Sequence, residues 1–237
     1  MRRIPQFPTI AIAIVSMAAL IACGSPSSPE VTAAGSPASA GPMNDKERLE
    51  AERWERATEG LAFETTSGLV EVAPLVTGSG LAAGQHLAEA DRLVGENRVM
   101  DAMEQYGLAL RNDSDLAAAY RGLGAMLERK GKTDSAIAAF RTAVDRDTDN
   151  LDFRYELAMS LWTASRQEDA IEEMNAVLLA DEEYARAHER LAVWSYYTGD
   201  HDAAWHHLHR AEALGEEVPA QLVALLEQQR PAPGASR

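Results

Sequence analysis

The chain repeats one packing pattern four times at a spacing of 34 residues. In each repeat, two positions carry Ala or Gly and a third carries a large apolar side chain. The small residues are Ala102, Ala136, Ala170 and Ala204 at one position and Ala90, Gly124, Ala158 and Ala192 at the other; the large residues are Tyr106, Phe140, Met174 and Leu208. A repeat of this length is typical of a helix–turn–helix unit. Because small side chains let helices cross closely, the pattern predicts stacked helical hairpins.

A 34-residue frame divides residues 83–218 without insertion into the units 83–116, 117–150, 151–184 and 185–218. The fullest pattern lies in unit 117–150, with Tyr120, Leu123, Gly124, Leu127, Gly131, Ala136, Phe140 and Ala143. These residues resemble the tetratricopeptide repeat (TPR) family. The resemblance implies an all-α fold, a right-handed α-solenoid of helix–turn–helix units. The chain lacks the proline that ends each unit in that family and has there Ser114, Thr148, Glu182 and Glu216.

The segments that flank the four units differ from them in composition. Residues 44–82 are predicted to form a charged helix and then an irregular connector, in which residues 69–72 have strand-like character that Pro74 interrupts. A capping helix is predicted at residues 219–230. Its Leu222, Leu225 and Leu226 would cover the exposed end of the solenoid. Residues 231–237 are predicted to be a disordered tail.

The first 22 residues have the features of an export signal. Arg2 and Arg3 precede an apolar stretch at residues 10–21, which is shorter than the roughly 20 residues that a membrane-spanning helix needs. The stretch ends in Leu20, Ile21, Ala22 and Cys23, which resembles a bacterial lipobox. The resemblance implies cleavage before Cys23, lipidation of its thiol and a place in the bacterial cell envelope. Two alternatives stay open: a secretory signal with a coincidental cysteine, and an uncleaved anchor.

Residues 23–43 are rich in Ser, Pro, Ala and Gly and are predicted to be a disordered tether that follows the lipid. In enteric-type lipoproteins an Asp after the lipidated cysteine favours the inner membrane, and this chain has Gly24. The resemblance therefore implies an outer-membrane lipoprotein that faces the periplasm. Cys23 is the only cysteine, so the sequence excludes an intramolecular disulfide. The net charge is −15, which makes nucleic acid an unfavourable partner.

In tetratricopeptide repeats the first helix of each unit lines a concave groove. The resemblance therefore implies a partner-binding groove whose aromatic, apolar and basic residues are Arg121, Arg129, Tyr155, Met159, Trp162, Arg186, Tyr196 and Tyr197. Aromatic and Arg side chains contribute much of the binding energy at interfaces, so we expect a protein or peptide with apolar anchors and some acidic character. The alternative is that Trp162 and Tyr196 belong to the core between repeats. Leu87 and Asp91 replace the basic and amide residues of the carboxylate-clamp subclass, which argues against that mode of binding.

A group of histidines is the one cluster with metal-binding chemistry. His206 and His209 lie three residues apart on a predicted helix, and His201 and His207 are near them in sequence. The ligand set is incomplete, so the sequence predicts no metal site, no cofactor and no enzyme. We expect a membrane-anchored scaffold for protein–protein interactions in the bacterial envelope. The alternative function is an envelope small-ligand or metal-binding protein that uses residues 201–209, and the oligomeric state stays open.

Overall fold

The computed structural model describes residues 44–64, 68–74 and 82–229. The predicted signal, Cys23, the tether and the C-terminal tail lie outside these residues. The helices are α1 (Asp45–Ala57), α2 (Ala83–Gly95), α3 (Val99–Asn112), α4 (Ala117–Arg129), α5 (Thr133–Arg146), α6 (Leu151–Thr163), α7 (Gln167–Ala180), α8 (Ala185–Thr198), α9 (His201–Ala213) and α10 (Ala220–Gln229). Two strands, β1 (Leu61–Phe63) and β2 (Val70–Val72), form an antiparallel pair. Within the described residues, no helix is both long and apolar enough to cross a membrane.

The helices α2 to α9 form four antiparallel pairs with one spacing. The first helix of each pair, helix A, is α2, α4, α6 or α8, and the second, helix B, is α3, α5, α7 or α9. The starts of helices A and the starts of helices B both recur at intervals of 34 residues, as the sequence pattern does. Each pair packs on the next in chain order. The predicted all-α TPR solenoid is confirmed, with the small β-hairpin as the one addition.

Small residues bring the helices of each pair together. Ala102, Ala136, Ala170 and Ala204 have no exposed surface. Gly124, which lies at the other small position of the repeat, shows why these side chains must be small, since a Cβ atom there would lie 2.9 Å from the ring of Phe140. Two helices that cross so closely bury their apolar side chains against each other and against the helices of the next unit. The interior is therefore a main core that runs from α2 into α8, followed by a second apolar cluster formed by α8, α9 and α10.

The turn between helices A and B places one residue with positive φ at the same point of every unit. These residues are Asn97, Gly131, Ser165 and Gly199, with φ of 59°, 70°, 62° and 85°. Gly131 and Gly199 adopt this left-handed conformation at the end of helix A without the steric cost of a Cβ atom. Asn97 and Ser165 adopt the same conformation with a side chain, which is unfavourable for a serine in particular.

Ser165→Gly is expected to stabilise the protein by about 0.5–1 kcal/mol. The substitution removes the cost of a left-handed serine, and the greater backbone freedom of glycine in the unfolded chain offsets part of that gain. Gly131→Ser is the reverse change at the equivalent position, where a Cβ atom would contact nothing, and it should lose a similar amount. Urea unfolding of both variants measures the two effects; changes of the same sign would contradict the argument.

A hydrogen bond between side chains, called here a polar clip, joins helix A to helix B in three of the four units. The fourth residue of the unit meets the residue 19 positions later. The clips are His86 Nδ1 with Gln105 Oε1 at 2.8 Å, Arg154 Nη1 with Glu173 Oε2 at 2.7 Å, and His188 Nδ1 with His207 Nδ1 at 3.0 Å. The second unit has instead a buried Tyr120, whose hydroxyl donates to the carbonyl of Ser114 at 3.1 Å. These clips fix the pairing of the two helices in their units.

The segment predicted as a charged helix and irregular connector is more ordered than expected. Helix α1 begins with a capping box between Asn44 and Glu47. After α1, strands β1 and β2 pair with Phe63 opposite Val70, and the backbone N–H of Val70 donates to the Thr142 hydroxyl at 2.9 Å in a buried contact. Helix α1 packs on α3 and the hairpin packs on α5. Residues 44–64 and 68–74 therefore cover helices B of the first two units.

Helix α10 packs against α9 at the C-terminal end of the solenoid. Leu222 and Leu226 are buried in a cluster with Ala204, Trp205 and Leu208. Leu225 does not join them and is 40% exposed, because it lies on the outer side of α10. Two of the three leucines that the sequence assigns to the cap therefore cover the last helix pair.

Candidate partner-binding surface

The helix-A face is the surface formed by the exposed sides of α2, α4, α6 and α8. Its middle is a row of apolar side chains one unit apart, Ala125, Met159 and Val193, each half-buried. The first unit interrupts this row with the exposed Asp91. The apolar part of the face therefore runs across the second, third and fourth units, which is where the predicted aromatic residues lie.

Tyr155 is a structural link between the third and fourth units. Its side chain is buried, the guanidinium of Arg186 lies 4.3 Å from the centre of its ring, and Arg190 Nε donates to its hydroxyl at 3.2 Å. The Tyr184 ring lies 5.9 Å away. Tyr184 donates to Asp152, and burial together with this carboxylate raises the pKa of its hydroxyl. Tyr155 is thus held within the fold, whereas the Arg186 side chain that packs on its ring is 55% exposed.

The other aromatic residues of the predicted groove form two separate contacts. Trp162 stacks on the buried Trp194 of the next unit, with ring centres 4.6 Å apart and planes 4° from parallel. Tyr196 and Tyr197 meet edge to face at 5.6 Å. Tyr197 is 71% exposed, whereas Trp162 and Tyr196 are half-buried. The structure therefore places Tyr197 in solvent and gives Trp162 a part in the contact between repeats.

The three arginines of the predicted groove all have partners. Arg121 forms a two-pronged salt bridge to Glu156 of the next unit, with N–O distances of 2.8 to 3.1 Å. Arg186 lies 3.5 Å from Asp152. Arg129 bonds to neutral groups, the Asn97 amide oxygen and, at 3.9 Å, the Met126 sulfur. Of the three, Arg129 has the charge best placed to meet an acidic group on a partner.

Sequence reasoning missed three residues that shape this face, namely Glu156, Arg190 and Trp194. Glu156 and Arg190 contact residues 35 positions earlier in the chain, Arg121 and Tyr155. A spacing of 35 residues, one unit plus one residue, is the sequence signal that could have identified these two pairs, because side chains at that spacing meet between successive helices A. Trp194 lies in the middle of α8 and is buried, so its aromatic character alone gave no indication of a role between repeats.

The histidines form a hydrogen-bonded pair in the last unit. His188 of α8 and His207 of α9 have their Nδ1 atoms 3.0 Å apart, and His188 Nε2 lies 3.0 Å from the Glu182 carbonyl. Because a carbonyl only accepts, Nε2 of His188 carries the proton and its Nδ1 accepts from His207. His206 and His209 are exposed, and their closest ring contacts are with His207 and Trp205. Within residues 44–64, 68–74 and 82–229, no three His, Cys, Asp or Glu side chains converge as metal ligands would.

Burial favours the neutral form of both rings of this pair, so acid is expected to weaken the last unit. Burial lowers the pKa of His188, and burial with the neighbouring charges of His188 and His206 lowers the pKa of His207 from 6.5 to about 4. Arg210 acts in the same direction on His188, and Asp200 opposes the shift at His207. Between pH 6.5 and about 4, His207 therefore binds a proton in the unfolded chain but not in the folded chain. The stabilising contribution is complete above pH 6.5 and is lost as pH falls toward 4.

Urea unfolding at pH 7 and pH 5 measures this loss. We expect the pair to contribute about 1–2 kcal/mol to the difference, less than the full pKa shift would give because solvent reaches part of the His207 ring. His207→Gln should reduce the pH dependence by that amount. His209→Gln, a change at an exposed histidine of the same helix whose charge does not act on the pair, is the control and should leave it intact. Equal pH dependence in both variants would rule out the pair as its source.

Sequence comparisons support the repeats directly. Residues 87–150 and residues 127–193 match models described as tetratricopeptide repeat. The chain is 30% identical over 104 residues to the TPR repeat-containing thioredoxin TTL4 of Arabidopsis thaliana, which covers 44% of this chain and 15% of that protein. The chain thus spans about a sixth of the length of this relative. These matches and the helix pairs define a protein that contains tetratricopeptide repeats.

Solved structures with the same fold are similar across most of the described helices. A MamA crystal structure covers 73% of this chain and 95% of its own, with a TM-score of 0.55 and 17% identity. YrrB, described as a TPR protein with an unusual peptide-binding site, covers 63% and 87%, with a TM-score of 0.52 and 19% identity. A tetratricopeptide repeat protein from Parabacteroides merdae covers 62% and 60%, with a TM-score of 0.58 and 18% identity. At these identities the likeness shows the fold, an all-α TPR solenoid.

Proposed function

We propose that this chain is a scaffold that recruits a protein or peptide partner through the helix-A face and that a lipid on Cys23 attaches it to the bacterial cell envelope. The observation that carries the proposal is the apolar row Ala125, Met159 and Val193, which leads to a Tyr197 side chain that is 71% exposed. A scaffold of this kind acts by non-covalent contact. Apolar residues in a shallow row suit the side chains of a short segment from another protein.

The geometry favours a partner with apolar anchors. Met159 adapts its shape readily to an incoming side chain, and Tyr197 offers a rigid ring with a polar tip. The ion pairs Arg121–Glu156 and Arg186–Asp152 would form a polar rim around the row. An acidic residue on the partner would meet Arg129, whose present partners are neutral. YrrB, a structural neighbour described by its peptide-binding site, is consistent with this use of the fold.

Selection from a peptide library, followed by affinity measurements on the enriched peptides, tests the helix-A face. The double variant Met159→Glu/Tyr197→Ala should weaken binding by about tenfold or more, because it puts a charge into the apolar row and removes its exposed ring. Leu49→Ala is a matched control, since Leu49 is an exposed large apolar residue on α1. Equal loss in both variants, or loss in neither, would contradict the assignment.

The lipid anchor is tested separately. The lipobox resemblance of residues 20–23 and the apolar stretch before it support the proposal, and the outer membrane is the proposed location because Gly24 follows Cys23. Mass spectrometry of the mature N-terminal peptide, after expression in a bacterium that processes lipoproteins, should find an acylated Cys23. Cys23→Ser should move the protein from the membrane fraction to the soluble fraction. An unmodified Cys23 at the mature N-terminus, or an uncleaved leader, would refute the anchor and leave the helix-A proposal standing.

A further inference from the structure

The helices B share an outer stripe of residues, which the chain itself covers in the first two units. On α3 the stripe consists of Met100, Asp101, Glu104, Gly107, Leu108 and Arg111. Arg53 of α1 lies 3.1 Å from Asp101, and a Cβ atom on Gly107 would contact the Ala57 carbonyl and Leu61. Helix α1 therefore lies along the outer stripe of α3, held by an arginine on an aspartate and by apolar contact.

The equivalent stripe of α5 is covered by the hairpin. Thr142 bonds to the backbone of Val70, and the Arg141 guanidinium lies against Gly68. Ala138 and Phe63 border one small pocket between hairpin and helix. The same face of two successive helices B is thus an interface in this protein, made with α1 and the hairpin.

The outer stripe of α7 continues this interface but is uncovered among the described residues. It consists of Glu168, Asp169, Glu172, Asn175, Ala176 and Leu179. Leu179 is 90% exposed, more than the other exposed large apolar side chains of the described chain, and it stands where α3 has Arg111. Asp169 is bonded to Arg166 at 2.8 Å just as Asp101 is bonded to Arg98 at 2.8 Å. The α7 stripe therefore keeps the aspartate that receives α1 in the first unit and adds an exposed leucine.

Charge indicates what kind of segment would lie on this stripe. Residues 167–185 contain seven acidic residues and no basic one. A second copy of α1 would be a poor match, because α1 has five acidic and four basic residues. We propose that the outer stripe of α7 binds a basic amphipathic helix from a partner protein. Its Arg or Lys side chains meet Glu168, Asp169 and Glu172, and an apolar residue covers Leu179 and Ala176.

A synthetic amphipathic helix of Leu and Lys, about 14 residues long so that it can form a helix, is the probe. Its affinity is measured by fluorescence anisotropy on the full chain with Cys23→Ser, which removes the proposed lipid. Leu179→Lys/Glu172→Lys should weaken binding by about tenfold or more, because it adds like charge and removes the exposed apolar contact. The same peptide with Glu in place of Lys should not bind.

A charge-matched control separates the stripe from general attraction to an acidic protein. Ala88→Lys/Glu128→Lys changes the net charge equally at exposed positions of two helices A, and it should keep affinity within about twofold of the parent chain. Circular dichroism of each variant checks that the helices remain. Equal weakening by both double variants would overturn the proposal, as would a chain dimer in sedimentation that Leu179→Lys dissociates, since a second copy would then occupy the stripe. Neither result bears on the helix-A face, which is tested by Met159 and Tyr197.

Discussion

Trp194→Ala is expected to lower the free energy of unfolding by about 3–5 kcal/mol and to release the last unit before the others. Trp194 is 2% exposed and its ring stacks on Trp162 of the preceding unit. Most buried residues of α9 and α10 belong to a separate apolar cluster, and Trp194 belongs to the main core. The substitution would therefore remove a stacked aromatic contact that joins the last unit to the main core.

Hydrogen exchange followed by mass spectrometry measures both parts of this prediction. Amides of α8, α9 and α10 should exchange faster than those of α4 and α5, because solenoid stability is close to a sum of units and their contacts. Trp54→Ala is the matched control. Trp54 is a half-buried residue of α1 below Lys132, and its loss should spare the last unit. Faster exchange spread evenly over all four units would show that Trp194 is not a local tie.

Ala136→Leu is expected to cost about 3 kcal/mol. Ala136 has no exposed surface at the crossing of α4 and α5, and the ring of Phe140 already leaves no room for a Cβ atom on Gly124. Three added carbon atoms must push the two helices apart or force side chains from their preferred rotamers. The midpoint of urea unfolding should fall accordingly.

Ala88→Leu is the control for this change. Ala88 is exposed in the middle of α2, so the same three carbon atoms enter solvent and helix propensity hardly changes. Its unfolding midpoint should stay close to that of the parent chain. If Ala136→Leu behaved like Ala88→Leu, close helix crossing could not be what the repeated small residues provide.

The helix pairs were predictable because their signal is local and repeated. Ala102, Ala136, Ala170 and Ala204 each report the same crossing, so four weak indications add up to one strong prediction. The hairpin had no such support. Each strand has three residues, and β2 is held by Thr142, which lies 72 residues from Val70 in sequence. A strand that owes its existence to a distant helix leaves little trace in its own composition.

The site was harder to predict than the fold, for a related reason. A sequence position shows that an aromatic residue lies on helix A, but its exposure depends on the neighbouring unit. Trp162 and Tyr197 are both assigned to the groove from the sequence, yet the first is stacked on Trp194 and the second is 71% exposed. Likewise, the pairing of Arg121 with Glu156 follows from the offset between adjacent helices, which the 34-residue frame does not contain.

The packing of α1 and the hairpin on helices B limits how the number of repeat units in this solenoid can change. Helix α1 packs on α3 and the hairpin packs on α5. Deleting or duplicating the unit 117–150 would therefore separate one of them from the helix on which it packs. Among the described residues, the units from residue 151 onward are not the main support of α1 or of the hairpin. Addition of units, in nature or by engineering, is thereby confined to the C-terminal half of the solenoid, while the number of units before residue 151 stays fixed.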